Sequence, residues 1–170
     1  FISDSTTYDS HIEQLSQHVN VLTIDLPGHG KDTSDMNDTW DFPYIAHALD
    51  EVLSQYDMYD VYLLGYSMGG RVALYYALNG SVALRGLLLE STSAGIQSEA
   101  DKVERVQVDA ARAKVLEIAG LEIFVNDWEK LPLFRSQYEL DAEVRKAIRA
   151  NRMSQNPVTV SYTHLRAHET

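Results

Sequence analysis

A serine flanked by glycines is the residue whose surroundings in this sequence point most directly to chemistry. Ser67 lies in the string GYSMG, at the end of an apolar run. A serine hydroxyl acts as a nucleophile or base at neutral pH when a histidine, oriented by a carboxylate, accepts its proton. The string fits a nucleophile elbow, a sharp turn between a strand and a helix that exposes the hydroxyl. It predicts that Ser67 is catalytic and that the backbone N–H of Met68 is a donor of an oxyanion hole.

The segments around the serine have the pattern that an elbow requires. Val61–Tyr66 is apolar without polar alternation, which predicts a strand covered on both faces. Met68–Asn79 has a helical pattern, with Gly80 as its C-cap. Further strands are predicted at residues 21–25 and 86–90, so that strand and helix alternate along the chain. This alternation is typical of a parallel sheet covered by helices.

The pattern changes after residue 93. Residues 97–152 are predicted to form amphipathic helices and no strand, with breaks near Gly120, at Asn126-Asp127 and at Pro132. We therefore expect an α/β protein. Residues 1–93 are predicted to form the N-terminal part of its sheet core, and residues 94–158 a helical cap inserted after a strand.

The end of the chain has a different interpretation. Residues 160–170 read VSYTHLRAHET, and a DNA string that resembles a transposase-type sequencing adapter translates to this peptide. The segment is interpreted as an artefactual tail and is excluded from the predicted fold, the alternative being a native polar tail. His164 and His168 are thereby excluded as partners of the serine.

Composition limits the classes of partner. The 170-residue chain has a formal net charge of −11, which argues against nucleic acid or an anionic membrane surface as a partner. It has no cysteine, so neither disulfides nor a thiolate metal site are expected. No apolar run approaches the length of a membrane span. These features predict a cytoplasmic protein, and no metal or cofactor is expected.

Arg71 needs an explanation of its own. It lies in the first turn of the helix predicted after Ser67, where a cation opposes the helix dipole at a cost of roughly 0.3–1 kcal/mol. Two explanations stay open at this point. The side chain binds a ligand carboxylate beside the nucleophile, or it forms an ion pair with a neighbouring aspartate or glutamate.

Several strings together resemble the MenH family, the 2-succinyl-6-hydroxy-2,4-cyclohexadiene-1-carboxylate synthases of menaquinone biosynthesis, especially those of staphylococcus-like bacteria. They are FISDSTTY, TIDLPGHG, GYSMGGRVALYYA, LESTSAGI, DAARAKVLEIAGLEIFVNDWEKLPLF and IRANRMSQNP. The resemblance runs from Phe1 to about Val158 and implies an α/β-hydrolase fold with a helical cap. It also implies a lyase reaction, the elimination of pyruvate from 2-succinyl-5-enolpyruvyl-6-hydroxy-3-cyclohexene-1-carboxylate.

The resemblance further implies roles for single residues. Ser67, activated by a histidine, takes a proton from the carbon next to the succinyl ketone, and the enolpyruvyl group then leaves. The backbone of Phe1 matches a second oxyanion donor. The substrate is a tricarboxylate, and the positions that match the family's substrate-binding residues are Tyr66, Arg71, Arg105, Trp128, Phe134 and Arg149. Without the resemblance, Arg105 and Arg149 would be interpreted as surface ion pairs, and the two cap aromatics as ordinary core.

The chain departs from the family pattern at both ends. The family has a His-Gly pair before the position of Phe1, and its catalytic acid and histidine follow the cap. His29, in the loop PGHGKD, precedes the serine and fits a structural turn better. We therefore expect a chain that is truncated at both ends and inactive by itself. The alternatives are another α/β-hydrolase activity, such as an esterase or a carbon–carbon bond hydrolase, and a non-catalytic binding protein of the same fold.

Overall fold

The computed structural model describes residues 1–166, with side chains as far as residue 163. Its helices are Asp9–Leu15 (α1), Phe42–Leu53 (α2), Met68–Asn79 (α3), Glu99–Ile118 (α4), Leu121–Trp128 (α5), Ala142–Met153 (α6) and Pro157–Arg166 (α7). Its strands are Val61–Tyr66 (β1) and Leu84–Glu90 (β2), and short 3-10 helices cover Ser5–Tyr8, Ser54–Tyr56 and Pro132–Glu139. Within this part of the chain, no helix is both long and apolar enough to cross a bilayer.

The chain divides into two compact units. The sheet unit comprises Phe1, Asp35–Ala110 and the described residues from Thr163 onward, and the helical unit comprises Ile2–Ser34 and Ala111–Tyr162. In the sheet unit, β1 and β2 pair in parallel, with Leu63 opposite Leu87 and Tyr66 opposite Glu90. A parallel pair needs a crossover connection, and α3 supplies it. Buried side chains of α2 and α3 form much of this unit's core: Phe42, Ile45, Leu49, Leu53, Val72 and Tyr76.

Most predicted elements are confirmed. The strand and the helix around Ser67 have the predicted bounds, and the structure assigns only helices between residues 97 and 152. The strand predicted at residues 86–90 begins earlier, at Leu84. The strand predicted at residues 21–25 is wrong, because the chain there has no regular secondary structure. A parallel strand requires a neighbour that pairs with its backbone in register, and a local apolar pattern does not supply one.

The two faces of β1 differ in exposure, which corrects the prediction that both are covered. The side chains of Tyr62, Leu64 and Tyr66 are 59%, 46% and 42% exposed. On the other face Gly65 is buried, and an added Cβ there would lie 2.6 Å from the Cα of Gly70 in α3. Within the described residues, α3 therefore covers one face of the strand and the alternate apolar side chains are exposed.

The helical unit ties the start of the chain to α6. Asp4 accepts hydrogen bonds from Asn151 Nδ2 at 2.6 Å and from Gln155 Nε2 at 3.0 Å. Burial would raise the pKa of Asp4, but these bonds and those from Thr6 lower it. In α7, Val160 and Ser161 are buried, and Ser161 Oγ donates to Glu117 Oε1 at 2.9 Å. The adapter origin of residues 160–170 stays a prediction, and residues 167–170, with His168, lie outside the described residues.

Two adjacent glycines of α3 give the first test of this packing. A Cβ on Gly70 would lie 2.6 Å from the Cβ of Thr92, whereas a Cβ on Gly69 would meet no atom within 4 Å. We expect Gly70→Ala to lower the free energy of unfolding by about 1–3 kcal/mol through overpacking. Gly69→Ala, the matched control, should raise it by roughly 0.5–1 kcal/mol, because alanine is the better helix former. Urea denaturation measures both, and equal stability of the two variants would contradict the packing described.

Candidate active site

The backbone of Ser67 adopts a conformation that residues with side chains rarely adopt. Its φ is 51° and its ψ is −116°, between the end of β1 and the start of α3. Such strain persists where neighbouring structure fixes it, and it is common at functional sites. The Ser67 N–H donates to the carbonyl oxygen of Glu90 at 2.9 Å, and the Ser67 carbonyl accepts from Thr92 Oγ1 at 2.8 Å. Glu90, at the end of β2, and Thr92, just after it, therefore hold the backbone on both sides of the Ser67 Cα.

Small residues on either side of the serine make this turn possible. An added Cβ on Gly65 would contact the carbonyl oxygen of Gly69, and one on Gly70 would overlap the side chain of Thr92. Glycine at these positions lets α3 start directly against β1. The strand, turn and helix that a nucleophile elbow requires are thus present around Ser67.

The two expected oxyanion donors lie in different local settings. Met68 begins α3, so its N–H is among those at the helix N-terminus that have no acceptor within the helix. Phe1 is half-buried and precedes Ile2, which is fully buried with a φ of 46°. A β-branched residue such as Ile2 is strained in left-handed backbone, and such strain is common at functional sites. The oxyanion roles of Phe1 and Met68 stay predictions.

Arg71 is half-buried, and it is influenced by charged residues of α4. Its guanidinium lies 5.6 Å from the ring centroid of Phe42. Burial and the positive charge of Arg105 lower the pKa of Arg71, and the charge of Asp109 opposes this change. Asp109 is buried, and its Oδ2 accepts a hydrogen bond from Arg105 Nε at 2.6 Å. An additional negative charge near the two arginines would therefore stabilise the protonated, positively charged form of both side chains.

The cap positions form a second cluster, in the helical unit. The ring of Trp128 stacks on Phe124 with 5.4 Å between centroids and lies 5.7 Å from Phe134. Arg149 donates from Nη1 to Glu129 Oε2 at 2.6 Å and from Nη2 to Asn126 Oδ1 at 2.7 Å. Arg149 thus forms an ion pair, and Trp128 and Phe134 pack in an aromatic cluster, as their interpretation without the family resemblance predicts.

The predicted site residues are divided between the two units. Phe1, Tyr66, Ser67, Met68, Arg71 and Arg105 belong to the sheet unit, and Trp128, Phe134 and Arg149 belong to the helical unit. Within the sheet unit, the structure places Arg71 one helical turn from the serine and within electrostatic reach of Arg105.

Of the histidines whose side chains the structure describes, His29 is the buried one, and it is a poor match for a general base; the side chain of His164 lies outside the described part. Burial lowers the pKa of His29 to about 4, and its Nδ1 lies 3.1 Å from the carbonyl oxygen of Pro27. A catalytic base works best with a pKa near the operating pH, so His29 is poorly suited to the task. His11, His18 and His47 are exposed. Among the side chains of residues 1–163, no group of His, Cys, Asp or Glu could hold a metal ion.

Three residues that bind predicted site residues within their own unit were not identified from the sequence. Asp109 follows Arg105 by one helical turn, and this spacing is a signal that predicts an ion pair. Thr92 and Glu129 have no such signal, because their partners lie far away in the sequence: Ser67 for Thr92 and Arg149 for Glu129. Only tertiary structure identifies them.

Comparisons with known proteins connect this geometry to a family. The 2-succinyl-6-hydroxy-2,4-cyclohexadiene-1-carboxylate synthase of Klebsiella pneumoniae is 34% identical over 140 residues, which is 82% of this chain and 54% of the relative. The solved structure of MenH from S. aureus matches with a TM-score of 0.96 and 55% identity, covering 98% of this chain and 62% of that one. These similarities confirm the predicted resemblance to MenH. The chain spans about half the length of the curated relatives it matches.

Other matches share the fold with different chemistry. A thermophilic esterase from Thermogutta terrifontis, solved with malate bound, matches with a TM-score of 0.81 and 26% identity, covering 99% of this chain and 61% of that one. The model of one family, described as the alpha/beta hydrolase fold, matches residues 5–165. That match takes in the predicted strand–elbow–helix segment and both units described above. The chain therefore belongs to the alpha/beta hydrolase fold family.

Proposed function

We propose that this protein is a lyase that eliminates pyruvate from 2-succinyl-5-enolpyruvyl-6-hydroxy-3-cyclohexene-1-carboxylate, giving 2-succinyl-6-hydroxy-2,4-cyclohexadiene-1-carboxylate in menaquinone biosynthesis. The observation that carries the proposal is the half-buried Arg71 in the first helical turn after a strained serine, with Arg105 close enough to depress its pKa. Such a pair suits an anionic substrate. The Klebsiella pneumoniae relative is named a 2-succinyl-6-hydroxy-2,4-cyclohexadiene-1-carboxylate synthase, and the product in that name is itself an anion.

The proposed reaction assigns one task to each group. A histidine accepts the Ser67 proton, and the serine oxygen removes a proton from the carbon next to the succinyl ketone. The negative charge that develops on the ketone oxygen is stabilised by the N–H groups of Met68 and Phe1. The carbon–oxygen bond to the enolpyruvyl group then breaks, and the departing enolate takes up a proton to become pyruvate. No water is added to the substrate, so hydrolysis is not the outcome.

The arginines distinguish this reaction from its rivals within the family. A guanidinium binds a carboxylate through two parallel hydrogen bonds, which a lysine does not offer. We assign Arg71, Arg105 and Arg149 to the carboxylates of the tricarboxylate. Tyr66, Trp128 and Phe134 supply apolar surface. An esterase acting on a neutral ester would have no use for cations at these positions.

The role of Ser67 is tested in a chimera in which residues 1–158 replace the matching part of S. aureus MenH. We expect Ser67→Ala to abolish most pyruvate release, because proton abstraction passes through that hydroxyl. The 170-residue chain alone should release none, because the resemblance implies that the catalytic acid and histidine follow the cap, and His29, with its pKa lowered to about 4, is poorly suited to replace them. A coupled lactate dehydrogenase assay measures pyruvate. Turnover by the chain alone that Ser67→Ala removes would contradict our rejection of His29.

The role of Arg71 is tested in the same chimera. We expect Arg71→Ala to lower kcat/KM by roughly 10- to 150-fold, the loss of one charge-assisted carboxylate contact. Arg71→Lys should recover part of the lost kcat/KM, because lysine keeps the positive charge but lacks the planar guanidinium that donates two parallel hydrogen bonds. Arg85→Ala is the matched control, since Arg85 is an exposed arginine of β2 and should leave turnover unchanged.

Two results would reject the synthase in favour of its alternatives. If Arg71→Ala retained near-normal pyruvate release, the carboxylate role would be wrong. If the chimera turned over a neutral ester faster than the tricarboxylate, an esterase would be the better description. Binding of the tricarboxylate without any turnover would indicate a binding protein of the same fold.

A further inference from the structure

A buried arginine next to Arg149 is the starting point. Arg152, near the end of α6, is 7% exposed. Its Nη1 donates to Oε1 of Glu129 at 2.9 Å and its Nη2 donates to Oε1 of Gln137 at 3.0 Å. Its guanidinium also lies 4.7 Å from the ring centroid of Phe134. A planar group held by two hydrogen bonds and an aromatic face has little freedom to turn.

The buried arginine fixes Glu129, and Glu129 fixes Arg149. Because Oε1 of the carboxylate is bound to Arg152, the direction of Oε2 is set, and Oε2 accepts from Arg149 Nη1 at 2.6 Å. The backbone of Glu129 is also held, since its carbonyl accepts from the Tyr138 hydroxyl at 2.9 Å. With Nη2 bound to Asn126 at 2.7 Å, both ends of the Arg149 guanidinium are oriented by the chain.

Arg149 borders a pocket of the helical unit that suits an organic anion. The pocket has a volume of about 300 Å³, and its lining includes the cations Arg145 and Lys146 beside the rings of Phe134 and Tyr138. A guanidinium has five N–H donors, so the two that Glu129 and Asn126 engage leave others that can grip a ligand carboxylate. The local excess of positive charge contrasts with the net charge of −11 of the whole chain.

We propose that Glu129 is a positioning residue that orients Arg149 for carboxylate recognition. The proposal rests on the proposed function, in which Arg149 binds a carboxylate of the substrate. One carboxylate holds two guanidiniums together, so removing its charge leaves two like charges adjacent. The side chain of Arg149 is 37% exposed and that of Arg152 only 9%, so Arg149 is the one that turns away into water. An arginine whose guanidinium is already oriented loses less conformational entropy when it binds a carboxylate through two hydrogen bonds.

Side-chain NMR of the 170-residue protein labelled with ¹⁵N-arginine tests this, with citrate as the tricarboxylate probe. We expect the Arg149 Nε–H signal of the wild type to show slow solvent exchange and to shift on citrate addition. In Glu129→Gln it should exchange fast, with a citrate dissociation constant roughly five- to tenfold weaker. Glu129→Asp keeps the negative charge on a shorter side chain. Its Arg149 exchange rate and citrate dissociation constant should lie between those of the wild type and Glu129→Gln. If Glu129→Gln fails to fold, Glu129→Asp alone decides.

Asp127→Asn is the matched control, because it removes the same charge two residues away, where Asp127 pairs with Lys130 in an exposed ion pair. It should leave the Arg149 signal and citrate binding unchanged. Citrate binding that is equal or tighter in the Glu129 variants would overturn the positioning role while leaving the proposed function standing. If citrate caused no shift of the wild-type Arg149 signal, the carboxylate role of Arg149 in the proposed function would instead be rejected.

Discussion

The hydrogen bonds between the end of β2 and Ser67 are the interaction on which the candidate site depends. Ser67 has a φ of 51°, and the Glu90 carbonyl and the Thr92 hydroxyl hold it there by hydrogen bonds from a distant part of the sequence. The strain is local, but the groups that balance it come from the next strand of the sheet. The turn therefore requires the parallel pairing of β1 with β2. The turn also fixes where α3 starts and so where Arg71 lies.

The elements around the serine were predictable because their signals are local. Val61–Tyr66 is a continuous apolar run, and Met68–Asn79 has helical spacing and ends before a glycine. The strand predicted at residues 21–25 failed because pairing is a tertiary property. The same limit applies to the site. The motif identifies Ser67, but Thr92 is 25 residues away in sequence and has no pattern that links it to the serine.

Arginines paired with chain carboxylates recur in both units. In the sheet unit Arg105 binds the buried Asp109, and in the helical unit Arg149 and Arg152 share Glu129. The sequence left open whether its arginines serve ion pairs or ligands. The structure shows the ion pairs of Arg105, Arg149 and Arg152, and the ligand roles of Arg105 and Arg149 stay predictions. A guanidinium held by a chain carboxylate on one edge is already oriented, and it has further donors for a ligand. An acidic protein can in this way present local positive charge to an anion.

A crystal structure of the chimera carrying Ser67→Ala, soaked with the tricarboxylate substrate, would show directly whether Arg71 and residue 67 face the substrate. We expect a substrate carboxylate at hydrogen-bond distance, about 2.7–2.9 Å, from two nitrogens of Arg71. We also expect the carbon next to the succinyl ketone to lie beside residue 67. Substrate density with no carboxylate on Arg71, or with the ketone remote from residue 67, would contradict the central claim that this elbow serine acts on an arginine-bound anion.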